Sequence, residues 1–456
     1  MSHSGGLATL PMLGWSGIVR LGVVQAMLGA VVVLTTSTLN RVMVVELALP
    51  ALLPGLLVAL HYAVQLTRPR MGFGSDTGGR RTPWIIGGML VLALGGAGAA
   101  LATAWMSTSP QAGMALAVLA FTFVGLGVSA SGTALLTLLA KRVDPPRRAS
   151  AAALVWVMMI VGFAVTAGLA GRFLDPYTPL RLVQVSSTVS VLAVLVTALA
   201  LWRLEGRAGA ALPTAQAAPT PTPFRQALAE VWAEPEARRF TVFVFVSMVA
   251  YSAQDLILEP FAGLMFGFTP GESTQLSGVQ HGGTLAGMLL AALAGRRLGG
   301  AQLGSLRAWT VAGCIASGLA LAGLVVAGLG AAPHWPLRAN VFVLGVANGA
   351  FSIAAIGSMM ALAAGGPQGR GNREGTRMGL WGAAQAIGFA GGGLIGTAAS
   401  DLARWLLGAP GPAYAAVFAA EALLFIVAAW LATSITAAAP GRRPEALRPA
   451  PSSAHA

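Results

Sequence analysis

Charge is scarce in this chain. Of 456 residues only 9% are Asp, Glu, Lys or Arg, while 56% are hydrophobic and the mean hydropathy is +0.74. An average soluble domain is roughly one quarter charged, so there is too little charge here to cover a globule in water. Hydrophobicity this high also excludes a disordered chain. A single cysteine, Cys314, excludes a disulfide scaffold, and with five histidines and no paired Cys or His cluster there is no metal-site signature. The usual catalytic strings are absent as well: no Walker A, no H-E-x-x-H and no G-x-S-x-G occurs. Gly125-Leu-Gly-Val-Ser-Ala130 fits a degenerate dinucleotide pattern, but it lies inside an apolar run with no βαβ unit around it. The Asp-rich pairs of membrane prenyltransferases are missing too. The chain is therefore expected not to be an enzyme. Its formal net charge of +13 is spread too thinly to be a nucleic-acid footprint.

What is present is a series of runs long enough to cross a bilayer, each about 20 mainly apolar residues. They fall at 17–39, 50–67, 83–105, 113–140, 149–171 and 183–202, and after a Pro-rich interruption at 240–260, 276–294, 308–329, 337–364, 378–399 and 413–434. The expected fold is an all-α membrane protein with twelve transmembrane helices in two six-helix pseudo-repeats. Bundles are expected over 1–203 and 240–436, with a cytoplasmic connector at 204–239 and a disordered cytoplasmic tail at 437–456. With both termini in the cytoplasm, 23 of the 28 Lys and Arg residues fall on the inner side; only Arg41, Arg172, Arg181, Arg338 and Arg404 lie outside. An excess of Lys and Arg in inner loops is the topology signal of membrane proteins. No cleavable signal peptide is evident, so the first span is expected to be retained.

Polar groups inside such runs are costly and mark places to examine. Gln254, Asp255 and Glu259 lie near the end of the seventh run, and Asp255 and Glu259, four apart, share a helix face. They read either as a proton-coupling pair or as residues at the outer interface. His61 and His281 sit within the second and eighth runs, Asn348 within the tenth, and Trp381 and Gln385 on one face of the eleventh. Gly388, Gly392 and Gly396 recur every fourth residue, the small-residue face that lets membrane helices approach closely. Asn40, Arg41 and Glu46 follow the first run and are expected in an outer loop, with Arg41 and Glu46 as an ion pair that shapes it.

The loop after the second run reads Gly72-Phe-Gly-Ser-Asp76-Thr-Gly-Gly79-Arg80-Arg81, and Gly295-Arg-Arg recurs after the eighth. It resembles the G-x-x-x-D-x-x-G-R-R signature of the major facilitator superfamily, in which this loop is a cytoplasmic latch between the halves. As a positively charged stop it would also simply fix topology. Four strings narrow the resemblance: Leu34-Thr-Thr-Ser-Thr-Leu-Asn-Arg-Val-Met-Val-Val-Glu-Leu47, Ser75-Asp76 through Arg80-Arg81-Thr-Pro-Trp84, Gln254-Asp-Leu-Ile-Leu-Glu-Pro260 and Arg377-Met-Gly-Leu-Trp-Gly-Ala-Ala-Gln-Ala386. Together they resemble the PucC/LhaA, or bacteriochlorophyll delivery, family. That resemblance implies an assembly factor for the light-harvesting antenna LH1 or LH2, which binds bacteriochlorophyll or delivers it to antenna α/β polypeptides. It implies a bacterial inner, intracytoplasmic photosynthetic membrane and, as ligands, bacteriochlorophyll and carotenoid. Implied partners are the α/β polypeptides, LH1 or a reaction centre–LH1 complex, bacteriochlorophyll synthase, the membrane insertion machinery and membrane lipids. Within this reading His61, His281, Gln254 and Gln385 are the pigment-ligand candidates. The alternative is a proton-coupled secondary transporter of a small or amphipathic solute.

Overall fold

The computed structural model describes residues 12–68, 71, 80–144, 147–205, 224–294, 304–331, 334–364 and 374–435. Gly72, Asp76 and Gly79 of the loop motif, its Gly295-Arg-Arg counterpart and the expected tail lie outside the described residues. The helices are α1 (Trp15–Glu46), α2 (Leu52–Val64), α3 (Thr82–Met106), α4 (Pro110–Arg142), α5 (Arg148–Leu174) and α6 (Pro179–Leu201). A short helix, Phe224–Ala233, leads into α7 (Pro235–Phe266), α8 (Pro270–Ala294), α9 (Leu306–Val326), α10 (Leu337–Ala364), α11 (Glu374–Leu407) and α12 (Pro410–Thr433). Nine of the described helices are long and apolar enough to cross a membrane, and the chain is a multi-pass membrane protein.

Local sequence explains where the helices begin. Pro110, Pro179, Pro235 and Pro410 each open a helix at a position where a missing N–H costs nothing. Pro235 thus starts α7 inside the stretch expected to be connector. Gly267 closes α7 in the left-handed conformation, φ +68°, and its N–H bonds back to the carbonyl of Gly263 at 3.2 Å.

Two helices run past their expected ends. Apolarity fails at Leu39, yet α1 continues to Glu46 through two π-helical turns, Leu34–Thr38 and Val42–Glu46. Asn40, Arg41 and Glu46 therefore belong to a helix and not to an outer loop. Thr35 and Thr36 turn their hydroxyls back on the carbonyl of Val32, at 2.8 and 3.0 Å, which loosens the preceding turn. Likewise α7 passes through Pro260 and ends two turns later at Phe266, so Glu259 lies within the helix and not at its end.

Among the described residues the core comprises four apolar clusters, one of which joins Leu39 and Leu57 to Leu256 across the halves. A second draws on α1, α3, α4, α5 and α6, including Ile18, Leu21, Met89 and Leu135. Another lies wholly within 231–435 and is rich in rings: Phe261 packs edge-on to Phe418 at 5.1 Å, and Phe351 to Phe425 at 5.7 Å. Gly388, Gly392 and Gly396 do face a neighbour. A Cβ added at each would lie 2.8 Å from Met248, 2.5 Å from the Val249 carbonyl and 2.9 Å from the Ala253 carbonyl, all on α7. The two halves meet along α1 with α7 and α8, α5 with α8, and α2 with α11.

Candidate functional site

The turns joining α1–α2, α5–α6, α7–α8 and α11–α12 are short and gather at one end, called here the short-turn end. There the seam between the halves is polar. Ser37 of α1 donates to Glu259 of α7, and the Thr38 and Thr274 hydroxyls bond at 3.0 Å. Asn40 Nδ2 donates to the Leu256 carbonyl at 2.6 Å. That carbonyl is free because Pro260, four residues on, has no N–H to offer it. Proline in one half and asparagine in the other are thus parts of one contact.

Arg41 is the centre of this end. It is 2% exposed, pairs with Glu46, and reaches across the seam to the Phe268 carbonyl at 2.5 Å and Ser273 Oγ at 3.3 Å. The π turn bonds residue i to i+5, a widened turn that brings Arg41 and Glu46 onto one side of the helix. Gly263 makes room for the guanidinium: a Cβ there would stand 2.9 Å from Nη2. Tyr177, in the α5–α6 turn, feels the same charges. Burial foremost, and then Glu46, push its phenol above the usual range, while Arg41 pulls it down. A buried cation of this kind is tolerable only because carbonyl, hydroxyl and carboxylate oxygens surround it.

Deeper along the seam, rings from both halves meet. Tyr62 of α2 stacks on Phe389 of α11 at 5.9 Å, and Phe389 meets Tyr251 of α7 edge-on at 5.7 Å. Asp255, half-buried one turn from Tyr251, accepts from Gln280 of α8 at 3.2 Å. Phe163 of α5 covers His281 edge-on at 4.9 Å. His281 Nδ1 donates to the Ser277 carbonyl at 2.8 Å, which leaves Nε2 as the ring's lone-pair nitrogen. Gln254 is fully buried with neither amide atom bonded.

The sequence candidates thus separate. Asn40, Arg41, Glu46, Asp255, Glu259 and His281 come together along the seam. His61 does not join them: its Nε2 faces Gln65 Nε2 at 2.9 Å and its Nδ1 the Val58 carbonyl at 3.3 Å, so both ring nitrogens are occupied within α2 and the turn after it. Asn348 accepts from Ser317 at 2.8 Å and ties α10 to α9. Trp381, buried, packs on Phe240 at 4.9 Å in the core between α11 and α7, and Gln385 is half-buried one turn along. Arg81 and the neighbouring Thr82 offer their backbone N–H groups to Glu205 at 2.6 and 2.8 Å, so this part of the loop motif caps α3.

Sequence reasoning passed over Glu421. It is 2% exposed on α12, has neither oxygen bonded, and lies within Coulombic range of Asp255. A lone acid in the apolar run 413–434 was the available signal. It also passed over Asp175 and Asp401, whose partners in the other half include backbone amides.

Comparison with known proteins decides the family. The sequence profile described as PUCC protein matches residues 38–439. The chain belongs to the PucC family. It is 54% identical to the "Bacteriochlorophyll synthase 44.5 kDa chain" of Rhodobacter capsulatus, over 93% of this chain and 96% of that one. It is 31% identical to "Protein PucC" of the same organism, over 91% and 90% of the two chains. The same figure holds for "Protein PucC" of Cereibacter sphaeroides, over 89% and 88%. Solved structures with this fold include the nucleoside transporter NupG, TM-score 0.65 at 14% identity, covering 92% of this chain and 99% of that one. The peptide transporter POT superposes with TM-score 0.67 at 14% identity, covering 94% and 96%. This PucC-family chain therefore has the major facilitator fold; likeness at such low identity speaks to fold alone.

Proposed function

We propose that this chain is a non-enzymatic assembly factor of the photosynthetic membrane, which handles bacteriochlorophyll for the light-harvesting antenna α/β polypeptides. The observation that carries the reading is the match of the PucC family over residues 38–439, with relatives aligned over nine tenths or more of both chains. One of those relatives bears the name of a synthase. The proposal takes this chain as a carrier because no G-x-S-x-G nucleophile motif, Asp-rich prenyltransferase pair or metal-ligand string stands in its sequence.

The seam suits a bulky apolar cargo that carries a magnesium ion. Its deeper level is lined by Tyr62, Tyr251, Phe389 and Phe163. His281 has the arrangement of a metal-ligating histidine, with one nitrogen held by a backbone carbonyl and the other unspent. His61, with both nitrogens occupied, does not. Phe163 covers the His281 ring, so a macrocycle reaches Nε2 only when α5 and α8 part. Bound pigment would add magnesium coordination there; the protein's share is to orient the imidazole and exclude water.

Purified from its phototrophic host, the protein is expected to carry a chlorin absorption band that His281→Leu removes and His61→Leu leaves. Deletion of the gene is expected to lower antenna absorbance while pigment synthesis continues. Unchanged antenna, or turnover of a pigment precursor by the purified protein, would contradict the reading. A second reading, proton-coupled secondary transport, rests on Asp255 and Glu259 facing the seam. It requires solute uptake in proteoliposomes that collapses with an uncoupler and with Asp255→Asn.

A further inference from the structure

The two outer edges of the seam are fastened in the same way. Asp401 lies on α11, the fifth long helix of the second half, and accepts from the N-terminal amides of α2, Ala51 N at 3.0 Å and Leu52 N at 2.7 Å. Asp175 follows α5, the fifth helix of the first half, and reaches the N-terminus of α8. It accepts from Gly271 N at 3.3 Å and from the Thr269 hydroxyl at 2.9 Å. Thr269 and Glu272 already form a reciprocal cap, with Thr269 N to Glu272 at 3.0 Å and Glu272 N to Thr269 Oγ1 at 3.1 Å. The Gly271 amide remains for the acid of the other half. In both places a carboxylate from one half meets the positive N-terminus of the second helix of the other half.

Close packing reinforces each fastening. A Cβ at Gly55 of α2 would lie 2.2 Å from Thr397 Oγ1 of α11. At Gly171 of α5 it would lie 2.6 Å from the Gly271 carbonyl of α8. Both helix pairs are therefore in contact where the acids sit. Unlike Ser37–Glu259 or Thr38–Thr274, neither acid is fully buried: the Asp401 side chain is 23% exposed and shares Arg404, and Asp175 is half-buried. Water can replace what each lock gives up, so the locks can open at modest cost, whereas an unpaired group deep in the seam cannot.

We propose that Asp175 and Asp401 form a matched pair of releasable locks that hold the short-turn end of the seam shut, and that either alone keeps it shut while loss of both parts the halves. The proposal rests on these contacts alone and holds for any cargo. It assigns to the two acids control over whether the residues along the seam are reachable.

The test uses the full chain in lipid nanodiscs, with Cys314→Ala and spin labels at Leu180→Cys and Leu407→Cys. These are exposed positions at the short-turn end, one in each half. Pulsed electron spin resonance distances are compared for the parent, Asp175→Asn, Asp401→Asn and the double variant. Each single substitution is expected to shift the closed-to-open ratio by about tenfold or more, the scale of losing hydrogen bonds to a charged acceptor. The closed distance should still dominate in each. In the double variant a long distance should become the main component. Arg404→Gln, which removes the neighbour of Asp401 but no bond across the seam, should leave the parent distance in place. An unshifted double variant overturns the proposal, and so does a single variant that alone gives the whole change. If the double variant does not accumulate, the single variants decide: no lengthening in either overturns it.

Discussion

The two ends of this molecule are held by different kinds of contact. At the short-turn end, polar groups of one half bond to the other: Arg41 to Phe268 and Ser273, Asn40 to Leu256, Asp401 to Ala51 and Leu52. At the arginine-rich end the contacts Glu205 to Arg81 and Thr82, Arg377 to Glu234 at 2.8 Å, and Arg307 to the Thr433 carbonyl each stay within one half or its adjoining segment. Among the described residues, charges at the short-turn end join the halves, whereas Glu205 at the other end finishes a helix.

Substitutions that separate the two ends follow in order of size. Arg41→Met should be the most damaging, because it takes the charged donor from both the Phe268 carbonyl and Ser273 Oγ, while Glu46, 34% exposed, falls back on water. A loss of about 2–6 kcal/mol is the scale of two acceptors left without a donor at about 1–3 each. A large fall in thermal midpoint in detergent checks it, and a midpoint within a degree of the parent would remove Arg41 from the joint. Next, Asn40→Ala orphans the Leu256 carbonyl at about 1–3 kcal/mol. Pro260→Ala restores an N–H four residues along the helix, so the double variant should recover part of that loss. Strict additivity in this cycle would show that asparagine and proline do not share the carbonyl. At the opposite end, Glu205→Gln weakens the cap of α3, typically by about 0.5–2 kcal/mol, and should leave every distance across the seam unchanged. Smallest is Arg404→Gln. Its partner Asp401 is partly exposed and on the same helix, so a change within about 0.5 kcal/mol is expected in chemical unfolding.

Apolar runs made the helices legible, and the family followed from a few strings. The helix ends at Leu39 and Pro260 were misread for one reason. Hydropathy ends a span where polar residues begin, but Ser37, Asn40, Arg41 and Glu259 remain inside because the other half supplies their partners. The site was legible only as residues, not as an arrangement. Arg41 and Glu46 were readable as a pair, since both lie in one segment. That Asn40 answers Pro260 requires two helices more than 200 residues apart to be adjacent. Asp175 and Asp401 gave no sign, because what they reach across the seam is helix N-terminal amides and one threonine hydroxyl, far away in sequence and without a signature of their own. His61 and His281 read alike in sequence, and only the hydrogen bonds at their ring nitrogens tell them apart.

The most direct test of a closed polar seam is the reactivity of a thiol placed inside it. Ser273 is fully buried beside Arg41 and close to cysteine in size, and the native Cys314 is buried and replaced by alanine for the measurement. In membranes open to reagent on both faces, Ser273→Cys should stay unlabelled by a charged maleimide while Leu180→Cys reacts to completion. Adding Asp175→Asn and Asp401→Asn together should make the buried thiol reactive. Labelling of Ser273→Cys at the rate of the exposed control, with Asp175 and Asp401 intact, would contradict the account.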